Sequence, residues 1–145
     1  NVLNSEGKAS TLYMGCYGIG VSRLVAAAIE QNYDEKGIIW PHSITPFDIN
    51  IISIGHGKNQ NIASAALKLY SDLSEMGYGV LVDDRKDGYG TKIKDSELIG
   101  IPLNIVIGKK YIDSNEIELQ SRTGEISTTT INDLEIIFDH FKNRD

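Results

Sequence analysis

The sequence predicts an α/β fold, with a mixed sheet of five strands flanked by three helices. Short runs rich in isoleucine and valine, such as DINIISIG and PLNIVIG, are typical of strands buried on both faces of a sheet. A segment between two such runs carries apolar residues at helical spacing. Near the end of the chain, apolar and polar residues alternate around a Thr-Gly pair, as in an antiparallel hairpin. In chain order these patterns are βαβαβββα, preceded by a separate strand and helix.

The first segment is predicted to hold that separate strand and helix. The strand ends near Cys16, and the glycines around it form a turn. The helix runs from about Val21 to Gln31. Two prolines follow, and each disfavours helical conformation in the residue before it, as in a linker. We therefore expect one domain over residues 1–46 and a second over residues 47–145.

The second domain opens with the strand DINIISIG and a helix that ends at Gly77. The predicted inner stripe of this helix holds Ile62, Ala66, Leu69, Tyr70, Leu73 and Met76. YGVLVDD is predicted to be the second strand, TKIKDSELIG a short helix and PLNIVIGKK the third strand. The hairpin EIELQSRTGEISTTT completes the sheet.

A last helix is predicted after the hairpin. Thr130 is placed to cap it, with Asp133 at the capping-box position. Its inner side would carry Ile131, Leu134, Ile137, Phe138 and Phe141.

Composition excludes several classes of protein. Cys16 is the single cysteine, which excludes an internal disulfide and a multi-cysteine metal site, and the three histidines lie far apart, so no metal site is predicted. No stretch approaches the roughly 20 apolar residues that cross a bilayer, so we expect a cytoplasmic protein with no membrane contact. The chain starts at Asn1, and we expect it to be a fragment of a longer polypeptide.

Charge is unevenly distributed along the chain. The net charge of -6 argues against general coating of nucleic acid. Residues 83–110 nevertheless hold six basic and five acidic residues, whereas residues 111–145 hold eight acidic and three basic ones. A polyanion is therefore expected to contact the middle of the chain.

The stretch MGCYGIGVSR has the chemistry of an anion site. Glycines allow close approach of a ligand to the backbone, and the helix that follows presents free N–H groups. Arg23 adds a forked cation suited to phosphate. A tight turn with a solvated arginine explains the same pattern. A dinucleotide-binding fingerprint does not match this stretch, because Arg23 stands where the third glycine of that fingerprint is required.

Longer phrases resemble a known family. MGCYGIGVSRLVAAAIEQ resembles motif 3 of class II aminoacyl-tRNA synthetases, in the form found in bacterial-type prolyl-tRNA synthetases. GIIWP agrees with that family, and LVDDRKDGYGTKIKDSELIGIPLNIVIG resembles its anticodon-binding domain. The resemblance implies that residues 1–46 are the end of a catalytic core and that residues 47–145 have the anticodon-binding fold.

The resemblance also implies roles for single residues near the glycines. The motif 3 arginine, here Arg23, would bind the γ-phosphate of ATP. Gly18 and Gly20 would keep the floor beneath adenine and amino acid flat, and Cys16 would lie by the proline pocket.

In the second domain, the roles concern tRNA. Asp84 and Arg85 are expected to pair with guanine in the anticodon, since arginine can reach O6 and N7 and a carboxylate can accept from the Watson–Crick edge. Lys92 and Lys94 are expected to hold neighbouring phosphates.

For the whole enzyme, the family implies ATP and Mg²⁺, proline and tRNA(Pro) as substrates and partners, and a homodimer. The fragment itself is expected to bind no cofactor and to lack catalytic activity, because it has no counterparts of motifs 1 and 2. Two alternatives stay open: a threonyl-, histidyl- or glycyl-type synthetase, and a non-catalytic nucleic-acid-binding module with this fold. A nucleotide-binding oxidoreductase domain is a third, more distant alternative.

Overall fold

The computed structural model describes residues 2–133. Its strands are β1 (Val2–Leu3), β2 (Ala9–Ser10), β3 (Tyr33–Asp34), β4 (Gly37–Ile38), β5 (Ile49–Ser53), β6 (Val80–Asp83), β7 (Leu103–Ile107), β8 (Glu116–Ser121) and β9 (Ile126–Thr130). Its helices are α1 (Val21–Gln31), α2 (Gln60–Glu75), α3 (Tyr89–Ile99) and α4 (Lys109–Ser114), with a 3₁₀ turn at His42–Ile44.

The main sheet has five strands in the order β6-β5-β7-β8-β9. The central strand β5 pairs in parallel with β6 and β7, whereas β8 and β9 pair antiparallel. This confirms the predicted mixed five-stranded sheet. The hairpin that closes it also follows the prediction, with Gly124 in the left-handed conformation at the turn.

Helix α2 covers one face of the sheet. It begins after Asn59, whose side chain accepts a hydrogen bond from the Asn61 amide at 3.0 Å, and Gly77 follows it with φ +93. The side chains that it buries are Ile62, Ala65, Ala66, Leu69 and Leu73. They pack against inward-facing residues of β5, β7 and β8 and form the core. Tyr70 and Met76, which were predicted to lie in the same stripe, are exposed.

Helix α3 lies on the opposite face. It buries Lys92, Ile93 and Ser96, and it ends at Gly100, which adopts the left-handed conformation. The Ser96 hydroxyl donates to Asn104 Oδ1 of β7. Asn50 of β5 donates to the same oxygen at 3.2 Å. A polar layer therefore lies beneath α3, whereas the layer beneath α2 is apolar.

Three parts of the chain differ from the prediction. No strand ends near Cys16, because residues 11–20 pair with no strand in the described part of the chain and a strand exists only with a hydrogen-bonding partner. The PLNIVIGKK strand ends at Ile107, and Lys109 begins the unpredicted helix α4. The predicted linker contains the hairpin β3-β4.

The helix predicted after Thr130 lies almost entirely outside the described residues. Thr130 is the last residue of β9, and the backbone amide of Asp133 donates to its carbonyl oxygen at 3.0 Å. The predicted helical residues from Leu134 onward lie outside the described residues.

Candidate nucleic-acid interface

Arg85 is held by carboxylates directly after β6. Its Nε and Nη2 donate to the two oxygens of Asp83 at 3.1 and 2.8 Å. Its Nη1 lies 2.8 Å from Asp95 Oδ2 and 3.6 Å from Asp87 Oδ2. The hydrogen bonds that Arg85 donates to Asp83 and Asp95 raise the pKa of Arg85 above its usual range. The guanidinium predicted to read guanine is thus engaged within the protein, although its side chain is 47% exposed.

Lys92 lies in the interior, at 0% exposure. Its ammonium donates to the carbonyl oxygens of Ser53 at 3.0 Å and Asp83 at 2.8 Å, and it lies 3.4 Å from Asp83 Oδ1. Burial raises the pKa of Asp83, but the hydrogen bonds from Arg85 and the charge of Lys92 outweigh it, so this pKa is lowered. The position is at odds with the predicted phosphate contact, because an enclosed ammonium with three partners presents no donor to RNA.

Lys94 and Asp84, in contrast, are exposed. Lys94 follows the buried pair of residues on α3, so its side chain turns outward. Asp84 lies at the rim of a cavity of about 370 Å³ between β6 and α3, which Arg85 and Asp95 also line.

A second polar surface lies on the other flank of α3, between Tyr89 at the start of this helix, α4 and β8. Its residue Gln120 is buried, at 8% exposure, whereas Tyr89 is 38% exposed. On β8, Ile117 and Leu119 face the core, so Glu118 and Gln120 face the same side as α3. The Tyr89 hydroxyl lies 2.8 Å from Gln120 Oε1 and 3.3 Å from Glu118 Oε1. Lys110 of α4 lies 3.2 Å from Glu118 Oε2. We call this group, Tyr89, Lys110, Glu118 and Gln120, the open sheet face.

The open sheet face combines an aromatic ring with donors, acceptors and a cation. Partial burial raises the pKa of Tyr89, and the charge of Glu118 raises it further, so the hydroxyl stays a donor at neutral pH. A ring for stacking and side chains that pair with base edges are what proteins use on single-stranded RNA. None of these residues was singled out from the sequence. The alternation of residues in EIELQS indicates which side of β8 is polar. It does not indicate that Tyr89 of α3 contacts that side of the strand.

The residues of the glycine stretch contribute to neither of these two surfaces. Cys16 is exposed, as are Gly18 and Gly20, and Gly20 immediately precedes α1. Arg23 is also exposed, and its side chain makes no hydrogen bond or ion pair to another described residue. No residue of α1 is buried, and Leu24 and Val25 are about half exposed.

Within residues 2–133 no group of acidic, histidine or cysteine side chains is arranged to bind a metal ion. No helix in the same range has the length and apolar character needed to span a bilayer.

A family model described as "Anticodon binding domain" matches residues 48–138. The chain belongs to the anticodon-binding domain family. The matched range coincides with the five-stranded sheet and its helices, and it includes both polar surfaces beside α3. It is the anticodon-binding domain found in class II tRNA synthetases.

Two solved structures with the same fold are prolyl-tRNA synthetases. The enzyme from Giardia lamblia, in complex with prolyl-adenylate, is 25% identical, with a TM-score of 0.73. The enzyme from Cryptosporidium parvum, complexed with L-proline and AMP, is 24% identical, with a TM-score of 0.72, and is similar in fold. In each case the match covers 85% of this chain and 28% of the other. The chain therefore spans little more than a quarter of the length of these enzymes.

Proposed function

We propose that the chain is the C-terminal part of a bacterial-type proline–tRNA ligase and that its anticodon-binding domain recognises tRNA(Pro). The observation that carries the proposal is the family match over residues 48–138, joined to a structural likeness to prolyl-tRNA synthetases. That likeness also favours the prolyl type over the threonyl, histidyl and glycyl types.

We place the anticodon bases on the open sheet face. Anticodon loops are single-stranded, so their bases can be splayed out against a protein surface. The Tyr89 ring offers a stacking surface, and Glu118 can accept from the N–H groups on the Watson–Crick edge of guanine. Lys110 can leave its ion pair with Glu118 and bind a phosphate of the anticodon loop instead. Lys94, exposed on α3, is proposed as a further phosphate contact.

Arg85 contributes to this function indirectly. A base contact from Arg85 would have to replace its charge-assisted hydrogen bonds to Asp83 and Asp95. We therefore propose that Arg85 fixes the loop between β6 and α3 and so positions Tyr89. Asp84 lies at the cavity rim and is assigned no base contact.

The glycine stretch is proposed to act in the complete enzyme. There Arg23 would bind the γ-phosphate of ATP with Mg²⁺ nearby, Gly18 and Gly20 would lie beneath the adenylate, and Cys16 would border the proline pocket. The exposure of these residues and of Leu24 is consistent with a larger catalytic core packing on α1. We expect that enzyme to be a cytoplasmic homodimer that makes prolyl-adenylate and transfers proline to tRNA(Pro). The fragment alone is expected to be inactive.

Fluorescence anisotropy with a labelled tRNA(Pro) anticodon stem-loop tests the RNA-binding surface. We expect Tyr89→Ala to weaken binding about tenfold, since stacking of a base on an aromatic side chain is worth roughly 1 to 3 kcal/mol. Tyr70→Ala is the matched control, because it makes the same change at a residue of similar exposure on α2, on the opposite face of the sheet. Equal binding by the two variants would contradict the open sheet face as the RNA site. A stem-loop with its anticodon guanines replaced by adenines should also bind the wild-type chain more weakly, because adenine lacks the N1–H group from which Glu118 is proposed to accept a hydrogen bond.

A further inference from the structure

The cavity between β6 and α3 has no role in the proposed anticodon contacts. In the sheet, β5 and β7 separate β6 from β8, so the cavity and the open sheet face lie on opposite flanks of α3. We propose that this cavity binds a small organic cation, namely an amidinium or guanidinium carried on an apolar body.

The wall of the cavity is mostly aliphatic. Its volume of about 370 Å³ suits a small molecule. The aliphatic lining consists of Leu81, Val82, Leu98, Ile99 and Ile101. Leu98 is 62% exposed and Ile99 is 41% exposed, so apolar surface is available to a ligand at the mouth. Contact with this wall favours a ligand with an apolar body over a fully polar ion.

The polar groups that remain available in the cavity are acceptors. Asn50, at 2% exposure, lines the cavity, and its Oδ1 has no hydrogen-bond partner among the described residues. A buried amide oxygen without a partner is unfavourable, and a ligand donor would satisfy it. At the rim, Asp84 makes no ion pair within residues 2–133, and Asp95 pairs with Arg85 through Oδ2, which leaves Oδ1.

The donors in the same wall are already engaged. Each of the three guanidinium nitrogens of Arg85 faces a carboxylate, and the Lys92 ammonium has three oxygen neighbours. An anionic ligand would therefore find no uncommitted cation. The cavity lining contains three carboxylates, those of Asp83, Asp84 and Asp95, and two cations, Arg85 and Lys92. Its formal charge is therefore -1. This charge favours a cationic ligand.

An amidinium matches this set of acceptors better than an ammonium. It is planar and can donate two parallel hydrogen bonds to one carboxylate, as a guanidinium does. With the amidinium at the Asp84 rim, its apolar body would lie along the aliphatic wall. Benzamidine has this shape, and benzamide and benzoate are its neutral and anionic counterparts.

Titration of the isotope-labelled chain by NMR tests the proposal. Benzamidine is expected to shift the backbone amides of Leu81, Ser96 and Ile99, benzamide to shift them more weakly, and benzoate to leave them unchanged. Asp84→Asn should weaken benzamidine binding about threefold to fivefold, the upper range for one exposed ion pair. Asp113→Asn is the matched control, because it removes the same charge from an exposed residue that lies outside the cavity lining and has no ion pair within residues 2–133. It should change the affinity by much less.

Three results would overturn the proposal: no shifts with benzamidine, equal shifts with benzoate, or equal affinities of the two aspartate variants. The anticodon stem-loop provides a further test, since saturating benzamidine should leave its affinity unchanged. Competition between them would show that the cavity belongs to the RNA site instead. Because this binding is independent of RNA, its failure would leave the proposed tRNA recognition untouched.

Discussion

At the scale of single residues, Lys92 shows how burial changes the role of a cation. In the sequence KIKDSE, Lys92 and Lys94 look equivalent, but Lys92 shares the inner side of α3 with Ser96, whereas Lys94 faces outward. The buried ammonium joins the ends of β5 and β6 through Ser53 and Asp83. Its removal would take a donor from each of these two carbonyl oxygens and a countercharge from the Asp83 carboxylate. The Asp83 carbonyl oxygen would keep the Ser53 hydroxyl as a donor.

We therefore predict that Lys92→Met lowers the free energy of unfolding by about 3 kcal/mol or more, because breaking a buried ionic contact leaves unpaired polar groups. Lys94→Met, the control, should change it by less than about 0.5 kcal/mol, as is usual for exposed sites. Urea denaturation of both variants measures the difference. If Lys92→Met instead keeps its stability and loses affinity for the stem-loop, the phosphate contact predicted from the sequence is right.

At the scale of elements, the sequence predicts those that are defined by their own periodicity. The isoleucine-rich run of β5 and the apolar stripe of α2 identify their structures without knowledge of their neighbours. Helix α4 has only six residues and no such stripe, so no local signal separates it from the end of β7. The open sheet face was missed because Tyr89 and Gln120 meet only through the tertiary fold.

The hairpin β3-β4 is another element defined by long-range contacts. It packs against the C-terminal end of α3, where Trp40 Nε1 donates to the Ile99 carbonyl oxygen at 2.8 Å and Lys36 lies 3.0 Å from Glu97. At Gly100 the backbones approach so closely that a Cβ atom would overlap the carbonyl oxygen of Ile38. Glycine is therefore required at Gly100 for two reasons, its left-handed φ of +86 and the lack of space.

Two glycine variants distinguish the cost of backbone strain from the cost of the missing space. Gly77 has φ +93 and open space around the position of a Cβ atom, so Gly77→Ala should cost only the backbone strain, about 1 kcal/mol. Gly100→Ala should cost about 1 to 3 kcal/mol more, because the hairpin must also move away from α3. Thermal unfolding of both variants measures the two costs. Equal losses would show that the hairpin does not pack against α3 in solution.

At the scale of the whole molecule, the same hairpin connects α1 to the anticodon-binding sheet. Asn32, which follows α1, donates from its side chain to the Ala28 carbonyl oxygen at 2.9 Å, and the hairpin begins at the next residue. Asp34 then accepts two hydrogen bonds from Arg122 at the end of β8, at 2.6 and 3.1 Å. The segment that carries Arg23 is thus joined to the domain that is proposed to bind the anticodon.

This ion pair makes the connection sensitive to acid. The hydrogen bond from Arg122 lowers the pKa of Asp34 from an ordinary 3.8 to about 2. Since the folded pKa is the lower one, the unfolded chain binds the proton more readily between these values. The stabilisation is therefore complete above about pH 4 and is lost as the pH falls towards 2.

We predict that Asp34→Asn is less stable than the wild type at neutral pH and that its stability falls less steeply between about pH 4 and pH 2. Urea denaturation across this pH range measures both effects. Asp113→Asn serves as the control, because it removes an exposed carboxylate that has no ion pair within residues 2–133. The two variants must differ in pH dependence if Asp34 and Arg122 hold the hairpin to the sheet. Parallel curves would mean that the pair adds nothing to the junction, and α1 would then have to be positioned by other contacts.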